Sequence, residues 1–214
     1  MRKEEFVAEY ESHTDNSREI FRQLKAAGYS YLGGGMDATV WGRDEGEVLK
    51  VLMPSENKEE AEMTFLIFHD ACQEMKNNPH VPKFVDEYSV FEINGTDYMQ
   101  VTMEKLYPIP QGSVDEAIVW GLSDLCADAS IKWHDVEEQL HNIDFWSSTD
   151  LSWNTEEEVM KIAQTPLDNY QLLFQTMQAF YKIAQSGGIG WDLHTENVMQ
   201  RADGTLVITD PFYN

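Results

Sequence analysis

Short apolar runs separated by glycine-rich or charged turns occupy the first half of the chain, and this pattern is typical of β-strands. Asn94-Gly95 lies between two of these runs and is a dipeptide that favours a type I′ hairpin turn. The pattern therefore predicts a small antiparallel sheet. The strand candidates are Tyr29–Leu32, Val40–Trp41, Val48–Leu52, Phe84–Val90, Phe91–Ile93 and Tyr98–Met103.

Apolar residues at helical spacing precede and interrupt these strands. The segment Arg2–Ala27 predicts two helical pieces, with Ser17 as the N-terminal cap of the second and Gly28 as its end. The segment Glu56–Met75 predicts one longer helix, because its apolar residues recur every three or four positions.

The pattern becomes mainly helical after Pro108 and Pro110, which mark a linker. The acidic and aromatic segment Trp133–Glu158 has no clear assignment. We therefore predict an α+β fold, with a sheet domain over residues 1–106 and a helical domain over residues 107–214. The elements predicted in the second domain are the helices Val114–Ile131 and Leu167–Gln185 and the short strands Asn197–Met199 and Leu206–Thr209.

Composition narrows the classes of partner. Thirty-eight acidic residues face fifteen basic ones, which gives a net charge of −23. Such a surface repels nucleic acid, so direct nucleic-acid binding is not expected. The charge suits solubility in a crowded cytoplasm, or docking into a basic groove on another protein. The sequence does not predict an oligomeric state.

The chain contains no run of about 18 apolar residues, so no membrane span is expected. The N-terminal residues Met1–Phe6 lack the apolar stretch of a signal peptide. Without that signal, Cys72 and Cys126 are expected to be free thiols in a reducing cytoplasm.

A glycine-rich turn and a lysine within an apolar strand are the first candidates for chemistry. Gly33, Gly34 and Gly35 separate two strand candidates, and glycines let backbone amides approach phosphate oxygens closely. A triple glycine also occurs in ordinary flexible hairpins. Lys50 lies inside the run Val48–Leu52, where a charged residue needs a partner or a ligand unless it faces solvent.

The next helix offers three glutamates as partners for that lysine, namely Glu59, Glu60 and Glu62. Glu62 best fits the helix face that is turned towards the strand.

The C-terminal segment carries the most specific pattern. Asp192 and Asn197 stand five residues apart in a loop before an apolar strand, and Asp210 follows the run Leu206–Thr209. Phosphoryl transfer needs a carboxylate that orients the attacking hydroxyl and oxygen ligands that hold Mg²⁺. These three residues supply that set, although any one of them could simply cap a loop.

The order of these motifs resembles the protein-kinase superfamily. The stretches Asp192–Met199 and Ile208–Pro211 are most similar to the early serine/threonine protein kinase of short-tailed bacteriophages. The resemblance covers roughly Leu32–Phe212 and is weak between Pro108 and Pro166.

The resemblance implies ATP and Mg²⁺ as ligands and a two-lobed fold with an antiparallel N-lobe sheet and a truncated helical C-lobe. Asp192 would be the catalytic base, and Asn197 and Asp210 would hold Mg²⁺. Lys50 would contact the ATP phosphates and Glu62 would hold that lysine. The nucleotide would also be lined by Gly33, Gly34, Gly35, Val40 and the hinge residues Met103, Glu104 and Leu106.

The sequence departs from the kinase pattern at several of these positions. Gly190 and Trp191 stand where histidine and arginine usually precede the catalytic aspartate. Ala38 replaces the third glycine, and Pro211 follows the metal-binding aspartate.

His194 stands where protein kinases usually carry a lysine, and histidine is commoner there in small-molecule phosphotransferases. It would either meet the transferred phosphate as a catalytic residue or make a structural hydrogen bond to the loop backbone. In the kinase pattern, an activation segment and peptide-binding helices would follow Asn214, and we do not expect them here.

We therefore expect an ATP- and Mg²⁺-dependent phosphotransferase, specifically a serine/threonine protein kinase that modifies host proteins in the host cell cytoplasm. His194 and the missing peptide platform favour a small-molecule kinase as one alternative. The other alternative is an inactive kinase-fold protein whose acidic surface blocks a host protein.

Overall fold

The computed structural model describes residues 15–35, 38–43, 46–53, 58–128, 130–147 and 155–213. The chain divides into two compact units. Unit 1 comprises Met1–His69, Pro82–Lys105 and Asn214, and unit 2 comprises Asp70–Val81 and Leu106–Tyr213. The predicted helical piece before residue 15 and the tip of the glycine turn at residues 36–37 lie outside the described residues.

The described part of unit 1 combines a sheet with two helices. Its elements are α1 (Asp15–Ala26), β1 (Ser30–Gly34), β2 (Ala38–Gly42), β3 (Glu47–Leu52), most of α2 (Lys58–Glu74), β4 (Ser89–Ile93) and β5 (Thr96–Glu104).

Unit 2 is mainly helical, with three short strand pairings. Its elements are β6 (Tyr107–Pro108), α3 (Val114–Cys126), α4 (Trp133–Leu140), α5 (Ile143–Ser147), α6 (Glu156–Ala163), a 3₁₀ turn (Asp168–Tyr170), α7 (Gln171–Gly187), β7 (Gly190–Trp191), a second 3₁₀ turn (Thr195–Asn197), β8 (Val198–Gln200), β9 (Leu206–Ile208) and β10 (Phe212–Tyr213).

The sheet of unit 1 is antiparallel throughout, with strand order β1-β2-β3-β5-β4. Asn94 and Gly95 have φ values of 51° and 78°, so the predicted type I′ turn joins β4 to β5. The predicted fold class, an antiparallel N-terminal sheet followed by a helical part, is confirmed.

Each face of this sheet is covered by a helix. Ile20 and Phe21 of α1 pack with Trp41, Leu49 and other residues on one face. Phe65 of α2 packs with Leu52 and its neighbours on the opposite face. Alternate residues of β3 point to opposite faces, and this alternation explains why a run of apolar residues surrounds Lys50.

Two local predictions in unit 1 are wrong. Ser17 does not cap a helix, because α1 begins at Asp15 and buries Ser17 within its first turn. The strand predicted from Phe84 begins only at Ser89, as β4, because before it only Phe84 forms a bridge, to Met103. The predicted end of the helix at Gly28 is confirmed, because Gly28 has a φ of 88° just after α1.

The helix predicted over Val114–Ile131 ends earlier, at Cys126. The cause is local competition by Asp128, whose carboxylate accepts hydrogen bonds from the backbone and the hydroxyl of Ser130. The helix predicted over Leu167–Gln185 begins later, at Gln171, after the 3₁₀ turn.

The acidic segment without a clear assignment contributes to the core of unit 2. Val136, Leu140 and Trp146 are buried, and the Trp146 indole N–H donates to the carbonyl of Leu140 at 2.6 Å. The segment contains α4 and α5, which approach α3 at Gly121. An added Cβ at Gly121 would stand 2.7 Å from Leu140 Cδ2 and 3.0 Å from Trp146 Cη2. Gly121 therefore permits this close packing.

Gly121→Ala is expected to lower the free energy of unfolding by about 1–3 kcal/mol more than Gly187→Ala does, because overpacking a full core costs this much. Gly187 is a matched control: it is helical, and a Cβ there would meet no atom closer than 3.8 Å. Gly121 is interior to α3 and Gly187 is the last residue of α7, so the gain in helix propensity is larger at Gly121 and opposes the expected difference. Urea unfolding measures the difference, and equal changes for the two variants would contradict the packing argument.

Both cysteines are free and buried. Burial raises the pKa of the Cys126 thiol to about 12, so this sulfur remains a protonated, unreactive thiol at neutral pH. Among the described residues, no helix is both long enough and apolar enough to cross a membrane.

Candidate active site

The sheet register of unit 1 places three of the predicted nucleotide-binding residues in one row. Gly33 pairs with Val40, Val40 pairs with Lys50, and Lys50 pairs with Val101. Directly opposite residues on adjacent antiparallel strands project to the same face of a sheet. Val101 belongs to the buried cluster that includes Phe65 of α2, so the Lys50 side chain lies on the α2 face.

Lys50 is half-buried, and its Nζ lies 5.6 Å from the centroid of the Phe65 ring. This arrangement stabilises a partly desolvated ammonium by cation–π attraction. Glu62 is also half-buried and stands three residues before Phe65, on the same side of α2. The side chains of Glu59 and Glu60 lie outside the described residues.

The glycine turn continues β1 and β2 as a hairpin, in which the Gly35 N–H donates to the Ala38 carbonyl at 2.9 Å. A Cβ at Gly33 or Gly35 would meet no described atom within 4 Å. No described protein atom therefore fills the space beside this backbone, and a phosphate needs such free space to approach the backbone closely.

The predicted hinge residues fall at the boundary between the units. Met103 is buried in β5, and Glu104 exchanges hydrogen bonds with Lys83 through its backbone N–H and its carboxylate. Leu106 is the first residue of the second segment of unit 2.

In unit 2, backbone hydrogen bonds join the loop that carries Asp192 and Asn197 to the segment that carries Asp210. The Thr209 N–H donates to the Asn197 carbonyl at 2.9 Å, and the Asp192 N–H donates to the Pro211 carbonyl at 2.9 Å. Asp210 is the single residue between these two connections. The fold of unit 2 therefore brings together the three residues that the spacing singled out.

The Asn197 side chain is oriented by the loop itself. Its amide nitrogen donates to the backbone carbonyl of Asp192 at 2.6 Å. This bond leaves the amide oxygen of Asn197 available as a ligand, since no donor among the described residues approaches it. The Asp192 carboxylate likewise accepts no hydrogen bond from a described residue, and it is half-exposed.

His194 makes the structural hydrogen bond that was one of its two predicted roles. Its Nδ1 accepts from the Glu196 backbone N–H at 3.2 Å. Its Nε2 lies 3.1 Å from the Asn197 amide nitrogen and 3.7 Å from an Asp192 carboxylate oxygen. A neutral imidazole has one acceptor nitrogen, so His194 accepts from Glu196 or from Asn197, but not from both at once.

Thr209 is a site residue that sequence reasoning missed. Its hydroxyl donates to the Asn197 carbonyl at 3.1 Å, alongside the bond from its own N–H. A threonine at the end of an apolar strand was the only available signal, and it is a weak one.

A second missed feature is the attachment of His80 to the β8–β9 hairpin, which lies between Asn197 and Asp210 in the chain. His80 Nδ1 is 2.8 Å from the Leu206 carbonyl, and the Ile208 N–H donates to the His80 carbonyl at 3.0 Å. The Arg201 guanidinium donates to the carbonyls of Pro79 and Val81. These long-range bonds connect residues 79–81 to the hairpin.

Burial lowers the pKa of His80 below its ordinary value of 6.5; the Arg201 charge lowers it further, and the bond to the Leu206 carbonyl partly opposes this. The folded protein therefore keeps His80 neutral at pH values where the unfolded chain binds a proton. The resulting contribution to stability is complete above about pH 6.5 and is lost as the pH falls through the lowered pKa.

We expect the free energy of unfolding to decrease between pH 7.5 and about pH 5.5 more steeply in the wild type than in His80→Asn, which does not titrate there. Urea unfolding at several pH values measures both slopes. Identical slopes would show that His80 protonation does not contribute.

The donor set in unit 2 fits Mg²⁺. Asp192, Asn197 and Asp210 offer carboxylate and amide oxygens, the hard ligands that Mg²⁺ prefers, and Mg²⁺ is usually held by one or two protein carboxylates together with substrate phosphates. In the described part of the chain, no group of three or more histidine, cysteine or acidic side chains is arranged so that it could hold a metal ion by itself. The residues therefore suit a metal shared with a phosphate ligand and do not form an all-protein metal cage.

Comparison with known proteins gives structural similarity only. No family model and no curated protein sequence matches the chain. The structure is similar to a MAP kinase, LmaMPK10 from Leishmania major, at 12% identity and a TM-score of 0.32 over 90% of this chain. The alignment spans about half, 49%, of that kinase chain.

Two aminoglycoside phosphotransferase structures are also similar, each at 12% identity over 92% of this chain and 72% of the other. The ADP-bound enzyme APH(2'')-Ib has a TM-score of 0.36, and the ternary complex of APH(2'')-IIa with streptomycin and ATP has a TM-score of 0.33. The chain is thus similar, at low identity, to solved structures of a protein kinase and of aminoglycoside phosphotransferases.

Proposed function

We propose that the protein is an ATP- and Mg²⁺-dependent phosphotransferase. One observation carries the proposal: hydrogen bonds from Thr209 to Asn197 and from Asp192 to Pro211 hold Asp192, Asn197 and Asp210 together in unit 2. Phosphoryl transfer depends mainly on positioning and electrostatics, and it requires this combination of a free carboxylate and hard oxygen ligands. The row of Gly33, Val40 and Lys50 in unit 1 adds a phosphate-binding set.

Each residue has a separate task in the proposed reaction. Asp192 accepts the proton of the substrate hydroxyl, whose oxygen then bonds to the γ-phosphorus as the bond to the bridging oxygen of ADP breaks. Lys50 and the glycine amides bind the phosphates, while Glu62 holds Lys50. Asn197 and Asp210 would hold Mg²⁺, which neutralises charge that develops on the phosphate oxygens.

The substrate class that we propose is serine or threonine hydroxyls of host proteins, as for the phage kinase that the sequence motifs resemble. The supporting observation is the match at Asp192–Met199 and Ile208–Pro211. The proposed place of action is the host cell cytoplasm.

Transfer of labelled γ-phosphate from ATP tests the proposal. Purified wild-type protein should label a casein-like generic substrate only when Mg²⁺ is present, and Asp192→Asn should not. Phosphoproteomics of cells that express either form would then identify the targets. Labelling of aminoglycosides or other small hydroxyl compounds without protein labelling would favour a small-molecule kinase, as the position of His194 suggests.

The net charge of −23 supports a second candidate, an acidic binding protein that occupies a basic groove on a host protein. ATP turnover separates the two candidates. Protein that binds a basic host partner without turning over ATP, and loses that partner as salt rises, would favour the binding role, because salt screens exposed charges.

A further inference from the structure

Tyr213 covers Gly190 at the base of the loop that carries Asp192. The strands β7 and β10 pair antiparallel, with Tyr213 opposite Gly190 and Phe212 opposite Trp191. A Cβ at Gly190 would stand 2.6 Å from Tyr213 Cε1 and 2.7 Å from both Cδ1 and Cζ. Contacts this short do not occur in folded proteins, so the ring occupies space that only a glycine leaves.

Phe212, the residue next to Tyr213 in β10, anchors this strand in the core of unit 2. Phe212 is buried, and its ring centroid lies 5.8 Å from that of Phe180 and 6.3 Å from that of Trp191. Trp191 in turn meets Tyr181 edge-on at 5.4 Å. Such aromatic pairs add stabilisation beyond the area that they bury. The pair β7–β10 is therefore held by Phe212 in the core and by Tyr213 over Gly190.

The position of Asp210 depends on this strand pair. On its N-terminal side, Thr209 is bonded to Asn197, and on its C-terminal side Pro211 is bonded to Asp192 and leads into β10. A shift of β10 away from β7 would therefore move Asp210 relative to Asp192 and Asn197. A misplacement of about 1 Å can reduce the effectiveness of a site by about 100-fold.

We propose that Tyr213 is a positioning residue: by packing on Gly190 it holds Asp210 against the Asp192–Asn197 loop and so sets the affinity for metal-bound nucleotide. This inference rests on the proposed function. Tyr213 is 53% exposed, so its removal leaves no cavity in the core and the role can be tested in folded protein.

The experiment is a calorimetric titration of ATP into the full-length protein at several Mg²⁺ concentrations. It yields the fraction of protein that binds and the Mg²⁺ concentration that gives half of the maximal affinity. A change that only destabilises the fold lowers the first quantity, whereas misplacement of Asp210 raises the second.

Five variants separate these effects. Gly190→Ala should raise the half-maximal Mg²⁺ concentration by about 10- to 100-fold, because its Cβ displaces the Tyr213 ring. Tyr213→Ala alone should raise it by about 10-fold, because the contact that holds β10 against β7 is lost. The double variant Gly190→Ala/Tyr213→Ala should lie within about threefold of Tyr213→Ala alone, since the clash is gone. Tyr213→Phe keeps the ring and should match the wild type. The control Gly187→Ala, whose Cβ would meet only Ile189 Cγ1 at an ordinary contact distance of 3.8 Å, should also match it.

Two outcomes would overturn the inference. If Gly190→Ala lowers only the binding fraction, or if Tyr213→Ala alone leaves the half-maximal Mg²⁺ concentration unchanged, the contact is merely structural and the inference is wrong. If the wild type itself shows no Mg²⁺-dependent ATP binding, the proposed function is wrong, and so is the inference that rests on it. The wild-type titration thus distinguishes the two failures.

Discussion

Replacing Asp210 by alanine should remove Mg²⁺-dependent ATP binding and, with it, phosphoryl transfer. Asp210 lies between Thr209, which is bonded to Asn197, and Pro211, which is bonded to Asp192. In the proposed site it is the carboxylate that would hold the metal together with Asn197. Changes in groups that merely support a metal ligand weaken metal affinity by about 10- to 100-fold. Loss of the ligand itself should weaken Mg²⁺-ATP binding by at least about 100-fold.

Calorimetry with ATP, in the presence of Mg²⁺ and then of a chelator, measures the metal-dependent part of this affinity. Asp144→Ala is the matched control, because it removes the same charge from an exposed position on α5 in the same unit. A general effect of net charge would appear in both variants. Normal Mg²⁺-ATP binding and transfer by Asp210→Ala would refute the phosphotransferase proposal.

Replacing Asp192 by asparagine should instead separate binding from transfer. The Asp192 carboxylate accepts no hydrogen bond from a described residue, so the amide disturbs few contacts, and the backbone bonds to Pro211 and Asn197 remain. The amide cannot take a proton from the substrate hydroxyl. General-base catalysis contributes about 10²- to 10⁴-fold to a rate, so the transfer rate should fall by that factor.

The affinity of Asp192→Asn for Mg²⁺-ATP should stay within a few-fold of the wild-type value, which calorimetry measures alongside the transfer assay. Asp144→Asn serves as the isosteric control and should retain full transfer. Full transfer by Asp192→Asn would mean that another group is the base. Loss of nucleotide affinity equal to the loss of rate would mean that Asp192 is a metal ligand.

Local sequence signals predicted the elements that short-range physics controls. Asn94-Gly95 predicted the β4–β5 hairpin because both residues readily adopt the positive φ that a type I′ turn requires. Gly28 marked the end of α1 for the same conformational reason. The helix predicted at Glu56–Met75 appears as Lys58–Glu74, with Phe65, Phe68 and Cys72 buried on one side.

Local signals were misleading where distant residues or competing side chains decide the outcome. Ser17 has the chemistry of a helix cap, yet it is buried inside the first turn of α1. The acidic segment around Trp146 gave no clear pattern, because its aromatic residues pack on distant helices, Trp133 against Phe174 and Trp146 against Trp120. The strand patterns alone did not show that α1 covers one face of the sheet and α2 covers the other.

The sequence by itself determined which chemical groups are available. The spacing of Asp192, Asn197 and Asp210 identified them as a set, because a loop and a strand end that are close in sequence are also expected to be close in space. Only the tertiary structure decided how they are held. The bonds through Thr209 and Pro211, the attachment of His80 to the β8–β9 hairpin and the packing of Tyr213 on Gly190 depend on folding of the chain. These contacts leave no periodic signal, because each needs one particular atom to come close to another, and that proximity arises only when the whole unit packs.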